Sequence, residues 1–218
     1  MSKRIPVIER IMSANDQQAL ANRGVFDRHG VHVVNVMASP GAGKTSVILA
    51  TLRALAGRLR LGAIEGDLAS TVDTDKLRAA GVPAVQINTG GGCHLDANQV
   101  AAALPDLPLE QLDLLFIENV GNLVCPVGFA LGEHTRVGIS SVPEGDDKPH
   151  KYPSIFANID ALVINKVDLL PYLSFDMAEF QRLVRSLNPD IRFFPVSCVT
   201  GEGLEEWAAW LSALATNN

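Results

Sequence analysis

Residues 31–46 read "VHVVNVMASPGAGKTS", and their reading decides the fold. A short apolar run rich in valine enters a glycine turn, after which Lys-Thr-Ser opens a helical pattern. Strand, glycine loop, lysine, hydroxyl residue and helix are the parts of a phosphate-binding loop. Backbone N–H groups at a helix start attract phosphate oxygens. Gly41, Ala42, Gly43, Lys44, Thr45 and Ser46 are therefore expected to hold nucleotide phosphates. Lys44 would reach the β- and γ-phosphates and the Thr45 hydroxyl would ligate Mg²⁺. The general eight-residue pattern begins with glycine, whereas this chain has Ala38 there.

Outward from this loop, apolar runs alternate with helical patterns. Residues 31–37, 59–66, 82–88, 112–119, 135–142, 161–167 and 191–197 read as strands. Most are continuous apolar runs, as strands buried on both faces of a parallel sheet require. Helical stretches are expected near 44–57, 70–80, 95–104, 174–187 and 203–215. The alternation implies right-handed crossovers and one doubly wound, mostly parallel α/β domain of P-loop NTPase type, with helices on both faces. Ahead of it, "SANDQQALANRGVFDRHG" reads as a helix with Ser13 as N-cap and Asp16 completing a capping box. This divides the chain into an N-terminal helical extension, 1–30, and a G domain, 31–218, with an embedded metal site. Pro105 and Pro108 punctuate one loop, and "SVPEGDDKPHKYP" (141–153) reads as a longer polar loop.

Composition fits this frame. A chain of 218 residues with 47% hydrophobic residues can build one sizeable core. A net charge of −6 excludes a general nucleic-acid or anionic-membrane partner. The basic start resembles a leader, but Glu9 and Arg10 interrupt its apolar part. No apolar run approaches the roughly 18 residues of a membrane helix. Three widely spaced cysteines do not make a disulfide framework, and a reducing cytoplasm is expected.

The base is read from "NKVD", residues 165–168, at the end of a strand about 120 residues after the loop. An aspartate there accepts hydrogen bonds from the guanine ring N–H and exocyclic amine, and adenine presents the wrong edge. A site built to pair such donors strongly rejects an analogue lacking them. Asn165 and the Lys166 stem are expected to pack the base, with Asp168 as its acceptor. Ser197 and Cys198, in "SCVTGEG", would bring a backbone N–H near the base oxygen. The cofactor expected is thus GTP or GDP with Mg²⁺. Strand-end acids supply the rest: Asp67 in "EGD", and Glu118 with Gly121 in "ENVG". Thr45, Asp67 and Glu118 are candidate Mg²⁺ groups. Lys44, Asp67 and Gly121 are expected at the γ-phosphate, with Asp67 or Asp73 orienting the attacking water. No arginine is placed as a finger, so hydrolysis should be slow.

"TGGGCHLDA" (89–97) sets Cys93 and His94 after three glycines, and "ENVGNLVCP" ends near Cys125. Thiolate and imidazole suit borderline and softer ions such as Ni²⁺ and Zn²⁺. Adjacent residues chelate one ion only where the backbone bends, which Gly90–Gly92 allow. Cys93, His94 and Cys125 are therefore candidate ligands at the nucleotide edge of the sheet. Three ligands leave tetrahedral coordination incomplete, to be filled by a symmetry partner or by water.

With these motifs the chain resembles the HypB family, GTPases of nickel insertion into [NiFe]-hydrogenase. The likeness runs nearly end to end, through "NVMASPGAGKTS", "INTGGGCHLDA", "FIENVGNLVCP", "EGDDKPHKYP" and "NKVDLLPYL". "CHLDA" with "ENVGNLVCP" is its specific part, since other GTPases share only the loop motifs. The resemblance implies GTP-dependent homodimerisation, with Cys93, His94 and Cys125 forming a Ni²⁺ or Zn²⁺ site at or near the dimer interface. It also implies a HypA-like nickel metallochaperone as partner and a hydrogenase large subunit as eventual destination. Some members carry an N-terminal cysteine motif or histidine-rich stretch. Here the first cysteine is Cys93 and the first thirty-two residues hold only His29 and His32, so no separate N-terminal nickel site is expected. His150 stands where an apolar residue is more usual in the family. The related urease accessory GTPases carry a Cys-Pro-His motif, and no such tripeptide occurs here. A P-loop metabolite kinase would need neither NKVD nor paired Cys-His. A passive metal-binding scaffold would not need Lys44, Thr45, Asp67 and Asp168. After NKVD, Leu169, Leu170 and Leu173 in "LLPYLSF" are either core residues or part of a two-fold contact.

Overall fold

The computed structural model describes residues 7–67 and 72–216, with side chains from residue 14 onward. The apolar runs become strands because each is short, rich in β-branched residues and buried on both faces. Their bounds are β1 (His32–Ala38), β2 (Leu61–Asp67), β3 (Ala84–Asn88), β4 (Leu114–Glu118), β5 (Thr135–Ser141), β6 (Ala161–Asn165) and β7 (Arg192–Pro195). Among the described residues they form one sheet in the order β3-β2-β4-β1-β5-β6-β7, parallel throughout. β1 lies at the centre with β4 and β5 on either side, and at such a switch point a crevice opens beyond the carboxyl ends of the strands.

Helices cover both faces. α2 (Lys44–Ala54), α3 (Val72–Ala79) and α8 (Leu204–Thr216) close one layer, with Ile48, Leu77, Trp207 and Leu211 packed on Val34, Val36, Val137 and Val163. Trp207 Nε1 donates to Thr51 Oγ1 at 2.8 Å, which fixes α8 against α2. On the other face α1 (Val7–His29) and α4 (Ala97–Ala103) bring Phe26 and Val100 onto Val33, Leu115 and Ile117. α5 (Lys148–Lys151), α6 (Pro153–Ala157) and α7 (Met177–Leu187) follow, with Phe156, Phe180 and Val184 on Leu162 and Ile164. Among the described residues no helix is long and apolar enough to cross a membrane.

Two expectations need correction, and a third is met over the residues described. α1 already runs from Val7, so Ser13 is inside the helix and cannot be its cap; Val7, Ile8 and Ile11 continue the helical spacing upstream. Residues 141–153 are not a plain loop, since they hold a turn at Val142–Glu144 and the whole of α5. The turn closes because Ser141 and Glu144 form a capping box. Of the helix expected at 70–80, Val72–Ala79 is observed, and residues 70–71 lie outside the described residues.

Candidate nucleotide and metal sites

The loop between β1 and α2 owes its path to two glycines, Gly41 (φ 81°) and Gly43 (φ 97°). A Cβ on Gly43 would also stand 2.5 Å from Asn165 Nδ2. Ala38 causes no conflict, because it is the last residue of β1, fully buried in the core beside Val36. Extended backbone there needs no glycine.

Asn165 also reaches the phosphate loop. Its side chain is buried, and Nδ2 donates to Ala42 O at 3.0 Å. Oδ1 accepts from Lys166 N at 2.8 Å and from the Cys198 thiol at 3.4 Å. Lys166 Nζ donates to Gly41 O at 2.9 Å. NKVD thus clasps the phosphate loop. Lys166 is the one non-glycine residue with positive φ among those described, at 63°. Such backbone costs roughly 1–3 kcal/mol and persists where its surroundings hold it. Asp168 is half-buried in the turn Val167–Tyr172. Burial first, then the nearby Asp168 charge, raises the Cys198 thiol, so the carboxylate lies near the "SCVTG" loop. Ser197 is fully buried, and its Oγ accepts from Val199 N at 3.2 Å and Thr200 N at 3.1 Å.

Lys44, Asp67, Asp73, Glu118 and Gly121 line one cavity of about 210 Å³. A Cβ on Gly121 would meet Pro40 at 3.0–3.2 Å, so glycine lets this backbone approach the phosphate loop. Thr45 Oγ1 donates to Glu118 Oε1 at 3.1 Å, and Lys44 Nζ is 3.9 Å from the same oxygen. Asp73 is paired with Lys76 at 2.7 Å.

The sequence reading missed Glu65, which also lines this cavity. Its signal was a glutamate inside an apolar strand. Glu65 and Glu118 are direct partners across β2 and β4, and both are buried. Burial first, then the charge of Glu118, pushes the Glu65 carboxyl up to about 10. Burial raises Glu118 as well, against the pull of Lys44 and Thr45. Glu65 Oε1 and Glu118 Oε2 meet no donor in the structure, and one proton shared between the carboxyls would supply it. A divalent cation is the other way to satisfy such oxygens, so the residues present fit Mg²⁺.

The Glu65 shift gives a pH dependence. A carboxyl near 4.5 when unfolded and about 10 in the fold stabilises the fold fully only below the lower value. That contribution is lost as pH rises across the window. Without Mg²⁺ and nucleotide, wild type should lose stability from pH 6 to 9 with a slope of up to about 1.4 kcal/mol per pH unit. Glu65→Gln keeps a donor towards Glu118 and should flatten that slope. Chemical denaturation at several pH values checks this, and parallel profiles for the two proteins would refute it.

On the same edge, Cys93, His94 and Cys125 offer ligand atoms all within 4.8 Å of one another. Gly90 and Gly91 turn the chain at positive φ, and Thr89 N and Oγ1 both donate to Asp67 O. Cys93 Sγ lies 3.5 Å from His94 Nδ1. The His94 ring rests on Phe129 with centroids 3.9 Å apart. The hydrogen bond with Cys125 raises the Cys93 thiol, and burial lowers His94, favouring neutral imidazole. Two sulfurs and one imidazole nitrogen fit a borderline ion, which holds them at about 2.0–2.3 Å.

The description "CobW/HypB/UreG, nucleotide-binding domain" matches residues 32–195. Hydrogenase maturation factor HypB of Azotobacter vinelandii is 49% identical over 96% of this chain and 69% of its own length. The probable HypB of Methanocaldococcus jannaschii is 38% identical over 93% of this chain and 91% of its own. Among solved structures, HypB from Helicobacter pylori in complex with nickel is similar at a TM-score of 0.90 and 38% identity, covering 94% of this chain and 96% of that one. HypB from Archaeoglobus fulgidus is similar at 0.87 and 38%, covering 93% and 99%. The chain belongs to the CobW/HypB/UreG family of nucleotide-binding proteins, and within it to the HypB hydrogenase maturation factors.

Proposed function

We propose that this protein is a Mg²⁺-dependent GTPase that carries Ni²⁺ or Zn²⁺ and delivers nickel during [NiFe]-hydrogenase maturation. One observation carries the reading. The cluster of Cys93, His94 and Cys125 sits on the strand edge that holds the phosphate loop, and Asp67 O anchors the turn before Cys93.

In this reading Gly41–Ser46 wrap the phosphates and Asp168 selects guanine. Val199 and Thr200 N–H groups are both taken by Ser197 Oγ, so the Cys198 N–H is the donor for the base oxygen. Lys44 neutralises charge on the leaving phosphate oxygens, and Gly121 admits the γ-phosphate beside Pro40. Asp67 orients the attacking water; Asp73, held by Lys76, is the weaker candidate. Bound Mg²⁺, held by Thr45, Asp67 and Glu118, would supply charge neutralisation at the phosphates. The expected partners are a HypA-like metallochaperone and, indirectly, a hydrogenase large subunit, in a reducing cytoplasm that keeps the thiols free. Residues 1–30 would serve as a helical extension on the G domain.

The test is phosphate release with Mg²⁺ and either GTP or ATP. Slow turnover of GTP alone is expected, and equal turnover of ATP would overturn the reading.

Homodimerisation gives a second expectation, with sharper residues than the sequence offered. Leu169 and Leu170 are half-buried against the core that holds Phe180. Tyr172 is 80% and Leu173 42% exposed. The double variant Tyr172→Ala/Leu173→Ala should therefore stay monomeric with GDP and with a GTP analogue, at near-normal melting temperature. Leu169→Ala should mainly lower melting, since it removes packing from the core. Light scattering decides, and a nucleotide-responsive dimer in the double variant would remove this cluster from the interface.

A further inference from the structure

Asn119 follows Glu118 directly and its side chain is fully buried. Oδ1 accepts the backbone N–H of Leu95, the residue after His94, at 3.0 Å, and that of Val120 at 3.0 Å. Nδ2 donates to Asn35 Oδ1 on β1 at 3.3 Å. From Asn35 the chain of bonds continues to Glu133 Oε1 at 3.3 Å, which also accepts from Arg136 Nε at 2.6 Å. Arg136 then donates to Val127 O at 3.4 Å, two residues past Cys125. A polar line, buried as far as Glu133 and half-buried at Arg136, thus joins the two segments that carry the metal ligands, and crosses the strand that leads into the phosphate loop.

A shorter bridge lies outside it. Asn122 Nδ2 donates to Cys93 O at 3.3 Å, and its Oδ1 accepts from Val124 N at 2.8 Å and Cys125 N at 3.4 Å. Between these asparagines lies Gly121, whose backbone abuts Pro40.

We propose that Asn119 and Asn122 are positioning residues that couple the phosphate loop to the Cys93–His94–Cys125 cluster. The inference rests on the nucleotide and metal reading above. The segment 118–122 touches the phosphate loop at Gly121 and holds both ligand segments through its asparagine side chains. A phosphate that shifts Gly121 against Pro40 shifts Leu95 and Cys93 with it. Leu95 is fully buried over Gly66, where a Cβ would stand 2.7 Å from its side chain, so its movement is carried to His94 instead of being absorbed. Coupling of this kind is reciprocal, and metal binding would favour one nucleotide state by the same factor.

The experiment titrates NiCl₂ into the full chain loaded with Mg²⁺ and either GDP or a non-hydrolysable GTP analogue. Nucleotide occupancy is verified by chromatography. Wild type should show at least a fivefold difference in Ni²⁺ affinity between the two states, the lower end of usual couplings. Asn119→Ala should bring that ratio to within about twofold, with metal-to-chain stoichiometry retained. A merely structural role would weaken Ni²⁺ binding equally in both states and leave the ratio as in wild type, which would overturn the proposal. Asn119→Ala leaves two buried N–H groups without an acceptor; if it does not fold, Asn122→Ala, at a half-buried position, reads the same coupling through the outer bridge. An unchanged ratio there would overturn it equally. A wild-type ratio of one would overturn the coupling and the proposal with it, whereas failure of the nucleotide reading shows separately as equal turnover of GTP and ATP.

Discussion

Asp168→Asn is expected to weaken GTP binding by on the order of 3 kcal/mol, roughly a hundredfold. A carboxylate accepts from both the ring N–H and the exocyclic amine of guanine. The amide keeps one acceptor and turns a donor towards the other contact. Xanthine carries a carbonyl in place of the amine, so the variant should also discriminate less against xanthosine triphosphate. The Asp168 charge is felt by the Cys198 thiol, which puts the carboxylate at the loop expected to face the base oxygen. Titration with a fluorescent guanine nucleotide, competed by xanthosine triphosphate, measures both effects. Wild-type affinity in the variant would remove the guanine assignment.

Loss of the metal is the second large effect. Cys93→Ala/His94→Ala should abolish stoichiometric Ni²⁺ binding, while GTP hydrolysis without added Ni²⁺ persists. The ligand forms are thiolate and neutral imidazole, so wild-type affinity should fall as pH drops, an ordinary histidine protonating near ~6.5. Burial holds His94 below that range, so its share of the loss comes at lower pH than for an exposed histidine. The raised Cys93 thiol means that metal must displace a proton, and calorimetry in buffers of different ionisation enthalpy should register its release. Unchanged Ni²⁺ stoichiometry in the double variant would point to His29, His134 or His150 instead.

Much of this was legible in the chain because its signals are local. A valine-rich run followed by a glycine turn and Lys-Thr fixes β1, the loop and α2 within sixteen residues. The all-parallel sheet follows from strands apolar on both faces. Asp67, Gly121, Cys93 and Cys125 were legible because carboxyl ends of strands in such a sheet converge on one edge. What escaped depends on tertiary partners. Glu65 sits in mid-strand, and only the register of β2 against β4 shows that it faces Glu118. Asn165 holds the phosphate loop from a distance of 123 residues along the chain, which no local pattern records. The start of α1 is hidden because a serine before a polar stretch imitates a cap while the helical spacing continues upstream. In residues 141–153 proline and glycine hide the one-turn helix that proline can open.

The most direct question is whether metal and nucleotide sense one another. Ni²⁺ titrated into wild type in its GDP form and in its GTP-analogue form, with the mass of each species recorded, tests this. The predicted result is tighter Ni²⁺ binding in one nucleotide state, accompanied by a shift to dimer mass. Equal affinity and equal mass in both states would contradict it.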